Sequence, residues 1–277
     1  YLIFVILACL PQLKTDETLK VGRSMGYKVA TIWQKILLPM IYPLIRLPVF
    51  IVLAFSLTVV DLALIIGPNT PSTFAVTIFR WFKDADLNER FSASAGAVFL
   101  MLFIFVIFII WELAYRLLYF CSKKKLTTGN RSNLSQSFFQ LLGSLYFFIL
   151  ISVILSSIIL LLWSFAKRWR FPDILPSTWS FRNIERNITL LNDLSFNTLT
   201  IAISSNIIAL IISLALLEAK RQQSCKKTLF DRLIYLPILL PQVGFLFGIQ
   251  ILFIKSGISG HFLSVIILHV FYTLPYV

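Results

Sequence analysis

"FFQLLGSLYFFILISVILSSIILLLWSF", Phe138 to Phe165, runs its whole length without a charged residue. About 20 consecutive apolar residues suffice to cross the hydrocarbon core of a bilayer as a helix. "VFLMLFIFVIFII", Val98 to Ile110, repeats the pattern. The composition around them agrees. Hydrophobic residues make up 58% of the chain and charged residues 13%, whereas soluble domains stay near half apolar and about a quarter charged. Within lipid every backbone N–H and C=O needs a partner inside its own segment. The sequence therefore predicts an all-α, polytopic helical membrane protein.

Seven apolar segments can be marked, at roughly 1–11, 37–66, 93–118, 138–164, 194–217, 233–254 and 261–277. The net charge of +13 would suggest nucleic acid in a soluble protein, but here the basic residues gather in loops. Loops rich in Lys and Arg stay on the cytoplasmic side. With 12–35, 116–137 and 218–232 in the cytoplasm, 15 of the 25 basic residues fall there. Arg46 lies within a span, near enough to its inner end to snorkel. No basic–aromatic alternation marks a nucleic-acid surface. Cys9, Cys121 and Cys225 are isolated, without CxxC spacing, which excludes a disulfide framework or cysteine metal site as a reading. They fall on the reducing cytoplasmic side.

The chain opens inside an apolar run, "YLIFVILACLP", and stops inside another, "LHVFYTLPYV". It is read as a fragment of a longer protein. "VILACLPQL" (Val5 to Leu13) and "HVFYTLPYV" (His269 to Val277) both end an apolar run in Leu-Pro near opposite ends of the chain. That repetition suggests one period of a protein built from duplicated halves, as many transporters are. The polar, basic stretch 119–137 reads as a cytoplasmic linker between them.

Between the first two spans lies "KVGRSMGYKVATIWQKILLP", Lys20 to Pro39. On a helical wheel Leu19, Gly22, Gly26, Val29, Trp33 and Ile36 share one face, and most of the cations lie elsewhere. Gly26 accepts backbone angles that other residues resist, so two short helices bent there, lying along the membrane surface, are expected. An amphipathic helix resting in lipid headgroups would show the same pattern.

The stretch resembles the cytoplasmic loop of permease subunits in binding-protein-dependent ABC importers. That loop reads Glu-Ala-Ala, three residues, Gly, nine residues, then Ile-x-Leu-Pro. Here Gly26 is followed after nine residues by Ile36-Leu37-Leu38-Pro39. Lys20, Val21 and Gly22 stand where the family has Glu-Ala-Ala, a departure that removes one polar contact. The run Gly22-Arg23-Ser24-Met25-Gly26 is similar to the family's small-residue, Arg-Ser, apolar, Gly run. Leu194 to Lys220, Leu233 to Phe253 and "LHVFYTLPYV" look like successive spans of a second permease domain. The nearest resemblance is to the fused, two-domain permeases of thiamine and ferric-iron importers and a poorly characterised relative of them.

The resemblance implies a type I permease bundle with residues 16–36 as the coupling helix. Residues 1–118 would be the C-terminal part of one repeat. Residues 138–277 would be the N-terminal part of the next, ending before its own coupling loop. It implies cytoplasmic ATP-binding subunits, two copies, an extracytoplasmic solute-binding protein, surrounding lipid, and a place in a bacterial inner membrane. No cofactor is implied.

Other features bear on chemistry. Asp61, in "SLTVVDLALIIGP", is the most isolated charge in an apolar run. A carboxylate there suggests a translocation path or, near the outer mouth, a local cap or pair. Gly244 and Gly248 form GxxxG, and "SASAGA" (Ser92 to Ala97) clusters small residues; both suit close helix packing. Glu112 and Arg116 form an i,i+4 pair, and Pro39, Pro43, Pro48, Pro237 and Pro241 would start or kink helices. His261 and His269 have no further ligand at i+3 or i+4, so no metal site is expected. The segment 167–193 mixes Trp, Arg and Pro, in keeping with interfacial anchoring. No GxxxxGK[ST] loop, HExxH or GxSxG occurs, so neither a phosphate loop nor an intramembrane enzyme is signalled. A scaffold subunit without transport activity is the other alternative.

Overall fold

Seven apolar segments without water to bind their backbones should form helices, and the described parts of all seven do. The computed structural model describes residues 1–68, 70–127, 136–170, 173–223, 237 and 240–276. The chain begins with α1 (Leu2–Cys9), a 3₁₀ turn at Pro11–Leu13, α2 (Thr15–Ser24) and α3 (Val29–Ile32). A π-type turn, Trp33–Leu37, joins α3 to α4 (Leu38–Thr58); α5 (Asp61–Ile65), α6 (Phe74–Lys83) and α7 (Glu89–Thr127) follow. Next come α8 (Gln136–Phe165), two short strands β1 (Ala166–Arg168) and β2 (Thr178–Trp179), α9 (Arg182–Gln223), α10 (Gln242–Lys255) and α11 (Phe262–Thr273).

Among the described residues, four helical segments are long and apolar enough to cross a membrane: Val29–Ile65, Glu89–Cys121, Gln140–Phe165 and Ile184–Ala219. Shorter apolar helices cover Leu2–Leu13, Gln242–Lys255 and Phe262–Tyr276.

α4 is the axis of the bundle. Its apolar residues recur at helical spacing, and each stretch serves a different core. Leu37, Ile41 and Ile45 bury against α1 and Ile32. Ala54, farther along, joins Ile78 and Phe82 of α6, Ala93, Leu100 and Ile104 of α7 and Val243 of α10. A second group packs α11 along α9, where Ser205, Ala209 and Ser264 are buried. Small side chains let helix backbones approach closely when lipid supplies no hydrophobic drive of its own.

Three features depart from the sequence reading. α7 is 39 residues long and α9 is 42, so both continue well past their apolar segments. The start of the stretch read as a linker, through Thr127, is thus helical; Lys and Leu are good helix formers once outside lipid. Residues 128–135 and 224–236, Cys225 among them, lie outside the described residues. The segment 166–179 is a small antiparallel ribbon, β1 on β2, with Ala166 opposite Trp179. Trp169 Nε1 donates to the carbonyl of Asp173 at 2.9 Å and its ring meets Trp163 edge-on at 6.0 Å. Arg46 does not reach out alone. Its Nε lies 3.2 Å from Glu112 Oε2 on α7.

Candidate functional site

The polar loop between the first two spans folds as α2, a tight turn and α3. α2 carries Asp16 and Glu17 in its first turn and Arg23 in its last, the charge order that complements a helix dipole. It stops at Gly26, whose φ of 82° is left-handed. The Gly26 N–H donates to the Arg23 carbonyl at 2.9 Å and the Tyr27 N–H to the Gly22 carbonyl at 3.1 Å. This pair of bonds around a left-handed glycine satisfies carbonyls that a helix end would otherwise leave open. Two residues on, the Lys28 carbonyl accepts from the N–H groups of Thr31 and Ile32 and starts α3.

The bend rearranges the face read from the wheel. Gly22, Thr31, Ile32 and Leu37 point inward, and Leu19, Trp33 and Ile36 are half-buried. Val29 and Gly26 are exposed. A single wheel cannot be carried across a left-handed residue, because the helical phase restarts there. Gly22 is the contact point between the two arms: a methyl at that position would lie 2.5 Å from Ile32 Cδ1.

The remaining loop residues divide into two groups. Lys20, Val21, Arg23, Ser24 and Met25 surround the end of α2 and are exposed, with the apolar pair Val21 and Met25 one turn apart. Ile36, Leu38 and Pro39 lie at the foot of α4, where Leu38 is exposed and the other two are half-buried.

Just above that foot, α4 is tied to α7. Glu112, only 15% exposed in its side chain, faces Arg46 at 3.2 Å and accepts from Arg116 Nε at 3.1 Å. Tyr42 stacks on Tyr115 with ring centroids 3.6 Å apart, and Arg46 lies 5.6 Å from the Phe50 ring centre. The i,i+4 pair read from sequence is therefore half of a three-charge cluster between two helices.

The far end of α4 borders an open cleft of about 550 Å³ between α4, α5, α6, α10 and α11. Asp61 lines it, as do Gln242 and Gln250 of α10 and Ser259 and Ser264. No local cap or ion pair holds Asp61 among the described residues. The two glutamines were not singled out from the sequence, although amides in an apolar helix are themselves a signal.

Long apolar helices joined by short polar loops define a polytopic helical membrane protein. The inner membrane ABC transporter permease protein YnjC of Escherichia coli (strain K12) is similar to this chain, with 27% identity over 116 residues. The match takes in 40% of this chain and 23% of that protein. No family profile matches the chain, and no solved structure matches it.

Proposed function

We propose that the chain is part of the permease subunit of an ATP-driven importer of a small solute, placed in a bacterial inner membrane. The observation that carries this reading is the loop of residues 16–36. A Gly-x9-Ile-x-Leu-Pro spacing coincides with a left-handed turn at Gly26 between two spans, and similarity to an ABC transporter permease stands beside it. The exposed Val21 and Met25, flanked by Lys20 and Arg23, offer a cytoplasmic ATPase an apolar contact with a basic border. Small buried residues such as Gly22 keep the two arms of the loop close enough to move as one piece.

In this reading the chain itself performs no catalysis. Two ATP-binding subunits supply the energy, loops 12–35, 116–137 and 218–232 face the cytoplasm, and a solute-binding protein delivers solute from the other side. Residues 1–118 and 138–277 belong to successive permease repeats, and thiamine, ferric iron or another small solute fits the reading equally well. The test is purification of the full-length protein from its own membranes in mild detergent. An ATPase should co-purify with the native protein and be lost from Gly26→Glu. Absence of an ATPase from the native preparation would leave the loop as a headgroup-bound amphipathic helix and overturn the reading.

A further inference from the structure

We infer that the cleft beside Asp61 is a solute site selective for small organic cations. The inference rests on the permease reading for its direction of access, but the site's chemistry is argued from its own lining.

Asp61 is the only charged residue among the described residues that line the cleft. Among the described residues no Lys, Arg or His lines it, in a chain that carries 25 basic residues against 12 acidic ones. The local sign is therefore opposite to that of the molecule. Asp61 is exposed at the edge of an apolar bundle, where a carboxylate marks a pathway or a counter-charge, and it forms no ion pair among the described residues. Gln250 and Ser259, which also line the cleft, provide neutral hydrogen-bonding groups that do not cancel its charge.

Most of the remaining wall is hydrocarbon and aromatic. Phe55 and Phe253 both line the cleft. Aromatic faces attract cations, more strongly where water is thinned out. Phe79 also lines it, and its ring holds the ammonium of Lys83, one helical turn on, 4.6 Å from the ring centre. A bare metal ion would want several oxygen ligands converging at short range, whereas one carboxylate in a lining otherwise rich in apolar and aromatic residues suits a cation with apolar substituents. The volume of about 550 Å³ lies within the range of small-molecule pockets, about 300–1,000 Å³.

The site lies at the end of α4 remote from the polar loop, on the side that faces away from the ATPase in the proposed orientation. A solute released outside would meet it first.

The experiment uses the full-length protein in lipid nanodiscs with radiolabelled tetraethylammonium as the probe, and 1-butanesulfonate as an anionic competitor of similar size. Saturable tetraethylammonium binding is expected, with no competition from the sulfonate. Asp61→Asn should weaken binding at least tenfold, Asp61→Glu should retain most of it, and Gln250→Leu should reduce it less than Asp61→Asn does. ATPase co-purification is followed on the same preparations, so that a misfolded variant is recognised. No saturable binding to the native protein, equal binding by Asp61→Asn, or equal competition by the sulfonate each overturns the cation site. If the native protein holds an ATPase but binds no cation, this inference fails alone. Binding of the cation without an ATPase overturns the permease reading and leaves the site standing.

Discussion

Gly244 of α10 meets Ala97 of α7 with no room for a side chain: a methyl on the glycine would fall 2.7 Å from Cβ of Ala97. Two small-residue motifs far apart in sequence thus touch at one point. Only one glycine of the GxxxG is used in this way, since a methyl on Gly248 would meet nothing within 4 Å.

The two glycines therefore separate cleanly in a thermal melt in detergent. Gly→Ala within a helix ordinarily gains about 0.5–1 kcal/mol. Gly248→Ala should show that gain or no change. Gly244→Ala should instead destabilise, because overpacking costs about 1–3 kcal/mol. Adding Ala97→Gly should recover part of the loss. Equal behaviour of the two single variants would show that α7 and α10 do not meet here.

The Arg46–Glu112 pair yields a second prediction. Glu112→Gln removes the charge that faces both Arg46 and Arg116. Because Arg46 is half-exposed, a loss of about 1 kcal/mol is expected, in line with polar pairs between membrane helices. The exchanged pair Arg46→Glu with Glu112→Arg should recover stability relative to Arg46→Glu alone. Non-additivity in that cycle, read from melting temperatures, measures the contact.

At the bend, Gly22→Val should force α2 away from Ile32, whose side chain already fills the space above the glycine. ATPase co-purification should fall while the spans remain folded, and adding Ile32→Ala should restore part of it. Gly26→Ala strains a left-handed residue at about 1 kcal/mol and should weaken co-purification less than Gly26→Glu does.

Val21→Asp and Met25→Asp test the exposed apolar pair directly. Both side chains are more than half exposed, so melting temperature should be unchanged. Loss of the ATPase from either variant, with an unaltered melt, assigns the pair to the partner. Unaltered co-purification in both removes the pair from the contact.

Much of this architecture is visible in the sequence because it is written in periodicity and length. Leu37, Ile41 and Ile45 recur every fourth residue, and all three are buried, Leu37 at the end of the π-type turn and the other two on α4. The break at Gly26 follows from the one residue type that tolerates a left-handed turn. What the sequence does not carry is which faces meet. Glu112 and Arg116 are neighbours along one helix and can be paired on paper, whereas Arg46 joins them only once α4 lies against α7. The wheel drawn through residues 19–36 placed Val29 with Gly22, but a helical phase does not survive a left-handed residue. The ends of α7 and α9 were set too short because hydropathy marks the lipid-compatible stretch, not where hydrogen bonding stops. Asp61 could be flagged as an unpaired charge, but its companions Gln242 and Gln250 belong to a helix that closes over it from the other end of the chain.

The wide turn at Trp33–Leu37 has a mechanical consequence. It keeps α3 and α4 in one hydrogen-bonded rod from Val29 to Thr58, roughly 45 Å long at about 1.5 Å per residue. One tip of that rod carries the bent polar arm, and Phe55 near the other forms part of the wall beside Asp61. A rod has a torsional stiffness that a flexible tether lacks. Any twist applied at one tip must reach the other or be absorbed at Pro39, Pro43 and Pro48, the three places where a proline without an N–H interrupts its bonding.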